Sequence, residues 1–287
     1  MISSYVKLLV ESEDPIDTTW KIITKIWEPS DDLREYFRRE VIASNFEYDL
    51  IRVFFEVYRY LYDRVRRVPR KFQPPLMIVD GMSVREGNLL IRDLERRGYK
   101  VLRYSYSFSA LPSNTSTFRG LFTGRYIEIK HGEVPSHIDP TITIWISYPD
   151  EILHHAGKIV KPPEAYEKTR DAIFKALDSI VESCVLTITS DHGYIMVDEI
   201  WPISRDIMKF LKSIFGKSRF IKLEEIEKSK LKRLRNMPEE KSCVFMDDEY
   251  CYVKGRYFWP ISGYRSVISH GGLSLMECMV PLIEVRI

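Results

Sequence analysis

The sequence predicts an α/β protein, a mostly parallel sheet with helices on both faces, preceded by a helical N-terminal segment. Two patterns predict it. From about Thr18 to Val68 apolar residues recur at helical spacing, and beyond Pro75 short apolar runs alternate with amphipathic stretches, as in βαβ architecture. A third observation concerns where those runs end. Leu76-Met77-Ile78-Val79 runs into Asp80, Ile142 to Ile146 runs on to Asp150 with His154 four residues later, and Val185 to Thr189 runs into Asp191-His192-Gly193. Open α/β sheets keep their sites at the carboxyl ends of strands, so three strands are expected to deliver acid and imidazole groups to one rim.

Trp20, Ile23, Ile26-Trp27, Leu50-Ile51, Phe54-Phe55, Val57-Tyr58 and Leu61 carry the helical spacing and predict two or three helices. The stripe Phe54, Phe55, Tyr58, Tyr60, Tyr62 reads as packing surface. Arg64, Arg66, Arg67, Pro69, Arg70, Lys71 and Pro74-Pro75 make a basic, extended connector, so residues 1–74 are read as a helical segment packed on a main domain of 75–287. Within that domain the spacing predicts strand Leu76–Val79, a helix from Glu86 to Gly98, strand Lys100–Tyr104, and a polar loop from Ser107 to about Thr117. There follow a strand near Thr141–Ile146, a helix from about Pro163 to Glu182, strand Val185–Thr189 and helix Asp206–Phe215. Residues 222–258 read as an insertion, with a charged surface helix up to Lys241 and a hairpin flanking Asp247-Asp248-Glu249.

A 287-residue chain with 45% hydrophobic and 29% charged residues buries a sizeable core and is neither disordered nor membrane-spanning in composition. Acidic Glu11, Glu13 and Asp14 interrupt the N-terminus where a signal peptide needs a longer apolar region, so a cytoplasmic, membrane-free protein is expected. Cys184, Cys243, Cys251 and Cys278 form no C-x-x-C pair, which points away from zinc ribbons and redox motifs. A net charge of +2 gives no global case for nucleic acid. One glutamine and four asparagines beside 43 basic and 41 acidic residues fit a thermophilic source.

Asp80, Asp150, His154, Asp191, His192 and His270 together supply the oxygen and imidazole donors that divalent cations take. Their order, through Val79-Asp80-Gly81-Met82, Pro112-Ser113-Asn114-Thr115, Tyr148-Pro149-Asp150 with His154, Ser190-Asp191-His192-Gly193 and Ser269-His270-Gly271-Gly272, resembles the alkaline phosphatase superfamily. The ending, Leu273 to Leu282, also looks like that superfamily's last helix and strand. The resemblance covers about Pro75 to Ile287, and its aspartate-glycine-methionine start and its compactness are most similar to PglZ-domain proteins, found in phage-defence loci and signalling proteins.

The resemblance implies an alkaline-phosphatase-like fold in which Asp150, His154 and His270 bind one metal and Asp80, Asp191 and His192 the other. Zinc is expected, with manganese close behind. It places Thr115 as nucleophile. The loop is one residue shorter than the phosphodiesterase form, which leaves Ser113, Ser116 and Thr117, and more distantly Ser83, as alternatives. The activity implied is phosphoester hydrolysis, foremost of phosphodiesters in nucleotide or nucleic-acid linkages; a phosphomonoesterase, or a catalytically silent binding or scaffold module in a defence or signalling system, are the alternatives. Retention of all six candidate ligands favours the enzyme. Arg119 and Arg125 flank the nucleophile loop, and each suits either a phosphate contact or a surface salt bridge. His155 reads as surface, His131 and His137 match no motif, and Tyr250, Tyr252, Tyr257, Phe258 and Trp259 read as packing with base stacking as the other possibility.

Overall fold

The computed structural model describes residues 4–53, 56–67, 73–154, 161–197, 201–236, 243–259 and 267–287, apart from the side chains of Val6, His154 and Val267. Phe54, Phe55, His155, residues 68–72 of the connector and residues 237–242 of the expected surface helix lie outside the described residues.

Among the described residues five helices open the chain, four of them in the stretch where two or three were expected: α1 Ser4–Val10 before it, then α2 Pro15–Ile26, α3 Leu33–Arg38, α4 Glu40–Val53 and α5 Val57–Arg67. Asp14 and Asp32 cap α2 and α3, each accepting two backbone N–H groups. Arg39, between α3 and α4, keeps helical φ and ψ near −63° and −6°, which is why periodicity alone hides that break.

Beyond the connector come β1 Leu76–Val79, α6 Val84–Arg96, β2 Lys100–Phe108, α7 Thr115–Leu121, β3 Tyr126–Ile129, β4 Thr143–Ile146, α8 Asp150–His154, α9 Pro162–Asp178 and β5 Val185–Thr189. The chain continues with β6 Ile195–Val197, α10 Arg205–Phe215, β7 Phe220–Lys222, α11 Lys228–Asn236, β8 Val244–Met246, β9 Tyr250–Val253, β10 Val267–Ser269, α12 Leu275–Cys278 and β11 Met279–Arg286. Ser83 and Glu86 close a capping box at α6. β2 runs four residues past its expected end because β11 pairs with it along its whole length, Met279 opposite Phe108 and Arg286 opposite Lys100. The expected polar loop is correspondingly shorter.

The main sheet has the order β2-β11-β5-β1-β4-β3. β1 is parallel to β4 and β5, and β3 to β4, whereas β11 is antiparallel to both β5 and β2. β11 alone therefore runs against the other five. Apolar residues on one face, among them Met77, Val79, Ile144, Ile146, Leu186 and Ile188, meet α6 and α9. On the opposite face Leu76, Ile78 and Trp145 meet Phe118 of α7. The N-terminal helices share the largest core with β6, α10, α12 and a small antiparallel sheet, β7-β9-β8. Among the described residues no helix is long and apolar enough to cross a membrane.

Candidate metal centre

Four strand ends meet at one rim. β1 leads into Asp80, β4 leads through a short turn to Asp150 at the start of α8, β5 leads into Asp191-His192, and the loop after β2 leads to Thr115, the first residue of α7. Because β11 runs the other way, its amino end and the preceding Ser269 to Gly272 stretch come to the same rim and add His270.

Two donor groups result, Asp80 with Asp191 and His192, and Asp150 with His192 and His270; within each group the ligand atoms lie within 4.8 Å of one another. His192 belongs to both. Its Nε2 is 3.7 Å from Asp80 Oδ1 and 3.6 Å from Asp191 Oδ2. Its ring stacks on His270 with centroids 4.2 Å apart, and His270 Nε2 lies 3.6 Å from Asp150 Oδ1. His154 ends α8, and its side chain lies outside the described part. Asp80, Asp191 and His192 are buried, while Asp150 and His270 are 24% and 21% exposed, so the second group opens toward solvent.

Backbone groups set the orientation. Gly81 N–H and His192 N–H donate to Asp191 Oδ1 at 3.1 and 3.0 Å. Asp191 Oδ2, fully buried, has no hydrogen-bond partner among the described residues. His192 Nδ1 lies 2.9 Å from Gly193 O, which can only accept, so Nδ1 carries a proton and Nε2 is the ring nitrogen turned to the carboxylates. Gly81 has φ near +75°, and a Cβ there would meet Asp150 Cβ at 3.0 Å, so glycine is required where β1 turns beneath Asp150.

Burial, with Asp191 and Asp150 close by, pushes the Asp80 carboxyl up to about 8. Burial also opposes an imidazolium at His192, but Asp191, Asp150 and Asp80 outweigh it and raise the ring to about 9. Two buried carboxylates, Asp80 and Asp191, and a third, partly exposed one at Asp150 thus converge on His192. These residues could hold a cation, and an orphaned carboxylate oxygen among mixed oxygen and imidazole donors fits one.

The hydroxyls separate by their partners. Thr115 Oγ1 is 3.0 Å from Asp80 Oδ1 and 3.0 Å from His192 Nε2. Ser113 is buried and donates to Gly272 O at 2.7 Å, holding the loop that carries His270. Ser116 donates to Asn114 Oδ1, the cap of α7, which also accepts the Thr117 N–H. Ser83 caps α6 and donates to Glu86. Arg119 lies over the Trp145 ring and pairs with Glu128, whereas Arg125 is exposed. His131 pairs with Glu151, and His137 is exposed. Tyr252, Tyr257, Phe258 and Trp259 are buried in the main core, leaving Tyr250 partly exposed.

Three contributors escaped the sequence reading. Trp145 Nε1–H donates to Asp80 Oδ2 at 3.1 Å. Arg219 and Glu277, both buried, form a two-point ion pair, and Glu277 Oε1 accepts the Gly272 N–H at 2.8 Å. A lone acid inside the apolar run Leu273 to Leu282 was the available signal for Glu277. No protein-family model matches the chain, and no curated protein matches its sequence.

Proposed function

We propose that this chain is a metal-dependent phosphoester hydrolase, foremost a phosphodiesterase acting on nucleotide or nucleic-acid linkages through Thr115. The resemblance to the alkaline phosphatase superfamily, and to its PglZ-domain branch, supports the reaction class. The observation that carries the reading is the position of Thr115 Oγ1, within hydrogen-bond reach of Asp80 and of His192, the residue that both donor groups share.

Asp80, Asp191 and His192 would hold one divalent cation, and Asp150 and His270, beside His192, a second, with zinc or manganese suited to this donor set. Bound there, divalent cations supply Lewis-acid stabilisation of charge on phosphoryl oxygens and lower the pKa of a neighbouring hydroxyl. The chain's own residues do the rest. Thr115 is partly exposed, and its hydroxyl donates to Asp80 Oδ1 at 3.0 Å, with His192 Nε2 also 3.0 Å from Oγ1. Attack by Oγ1 on phosphorus forms the threonine–phosphorus bond and breaks the bond to the leaving alcohol; water then cleaves the phosphothreonine and restores the hydroxyl. His192 Nδ1, tied to Gly193 O, keeps the ring from turning away during that exchange.

The test is hydrolysis of bis-p-nitrophenyl phosphate and p-nitrophenyl phosphate with zinc or manganese restored after chelation, by wild type, Asp191→Ala and Thr115→Ala. Metal-dependent turnover lost in both variants supports the reading, and the faster compound separates diester from monoester substrates. Turnover that persists in Thr115→Ala sinks the threonine's role. A metal-loaded protein that turns over neither compound favours a silent binding module.

A further inference from the structure

Trp145 stands in β4, paired with Ile78 of β1 and Glu128 of β3. It is fully buried, and while Ile144 and Ile146 enter the core under α6 and α9, its indole lies on the opposite face beneath α7. There it meets Asp80. The indole N–H donates to Oδ2 at 3.1 Å, and Thr115 holds Oδ1 at 3.0 Å, so both oxygens of one carboxylate are directed by neutral donors. An indole N–H only donates and cannot itself take a cation. Arg119 lies 4.6 Å from the ring centroid and its Nη2 donates to Glu128 at 2.5 Å. Thr115 and Arg119 are one turn apart on α7, on the same side of the helix. The helix that carries the hydroxyl is therefore tied to Asp80 twice, directly through Thr115 and indirectly through the Arg119–Trp145 stack.

We propose that Trp145 is a positioning residue, whose N–H fixes the Asp80 carboxylate plane so that Asp80 serves the Asp80–Asp191–His192 group and the Thr115 hydroxyl together. The inference rests on the metal-centre reading above. A partner of this kind beside a ligating side chain is worth about 10- to 100-fold in cation affinity. Phenylalanine at this position keeps an aromatic ring under α7 and removes only the donor.

The experiment is calorimetric titration of Zn2+ into the chelator-stripped full chain, comparing wild type, Trp145→Phe, Asp80→Asn and the double variant. Trp145→Phe is expected to weaken the affected binding step by about 10- to 100-fold. In the Asp80→Asn background it should add less than about twofold, because the carboxylate that it orients is gone. Unchanged affinity, or an equal loss in both backgrounds, overturns the proposal. A second readout needs no folded Trp145 variant. Among the five indole N–H resonances of 15N-tryptophan-labelled wild type, one should shift both on Zn2+ addition and in Asp80→Asn; no such resonance also overturns it. Wild type that binds neither Zn2+ nor Mn2+ removes the metal centre itself and the Trp145 role with it, whereas wild type that binds Zn2+ while Trp145→Phe binds equally well removes only the latter.

Discussion

Thr115 donates its single proton to Asp80 Oδ1 at 3.0 Å, so the proposed nucleophile can be removed without removing any candidate cation donor. Thr115→Ala is expected to lower turnover by at least about 10^3-fold while leaving Zn2+ affinity close to wild type, and Thr115→Ser to restore part of the rate; steady-state kinetics beside calorimetry check both. Lys254, whose backbone bridges Leu273, gives a pH dependence of its own. Burial holds its ammonium down to about 8, against about 10.4 in an unfolded chain. Between those values the unfolded chain binds a proton that the folded chain lacks, so this group's penalty is complete below pH 8 and fades as pH rises toward 10.4. Lys254→Met should therefore raise the denaturation midpoint at pH 7, by a margin that shrinks across that window. Gly193 shows what a single methyl can do. A Cβ there would sit 2.1 Å from Met276 O, so Gly193→Ala should cost about 3 kcal/mol or more in chemical denaturation.

Helix α12 is four residues long yet holds both histidine loops. Glu277 O accepts the Gly193 N–H at 3.0 Å, next to His192, and Glu277 Oε1 accepts the Gly272 N–H, two residues after His270. Arg219, just before β7, pairs with Glu277 and also donates to Gly255 O and Tyr257 O. Arg219, next to the strand that pairs with the 222–258 stretch read from sequence as an insertion, thus helps to hold the His270 loop. Glu277→Leu leaves the Arg219 guanidinium buried and unpaired from its acid, and should cost about 3–5 kcal/mol in denaturation, with loss of Zn2+ binding at the His270 side. The sequence could not show this. An arginine and a glutamate 58 positions apart carry no local pattern, and their pairing exists only once α12 and β7 are packed together.

Buried charge also joins the N-terminal helices to the α/β core. Glu40 and Glu47 of α4 receive Arg256, Glu40 also receives Arg85 at 2.6 Å, and Arg85 donates to Tyr194 O, two residues past His192. Burial pushes the Glu40 carboxyl up, but Arg256 and Arg85 outweigh it and hold it below the usual range. Glu47 Oε1 further accepts Tyr58 O–H and the Leu275 N–H of α12. A chain beginning at Pro75 would strip Arg85 and Arg256 of their acids and lay bare the apolar core that the helices cover. It should show no cooperative thermal transition by circular dichroism, while the full chain unfolds in one.

Strands β1, β2, β4 and β5, their alternation with helices, and the delivery of Asp80, Asp150, Asp191 and His192 to one rim were legible in the sequence, because each follows from apolar runs and the residue that ends them. Edge strand β3 was not, since only Ile129 of it is buried and it carries Glu128 in place of an apolar run, and the β6–β10 pair was not, since three residues of pairing leave too little periodicity to read. The N-terminal segment was legible as helical but not as part of the site's foundation. Only packing decided that His192 is shared by both donor groups, that Thr115 rather than Ser113, Ser116 or Ser83 reaches Asp80, and that Trp145 bonds Asp80 while the Arg219–Glu277 pair holds the loop after His270. Local patterns encode which face of an element is apolar; which distant side chains then meet depends on sheet order and on β11 running against its neighbours, and neither is written in any short stretch of residues.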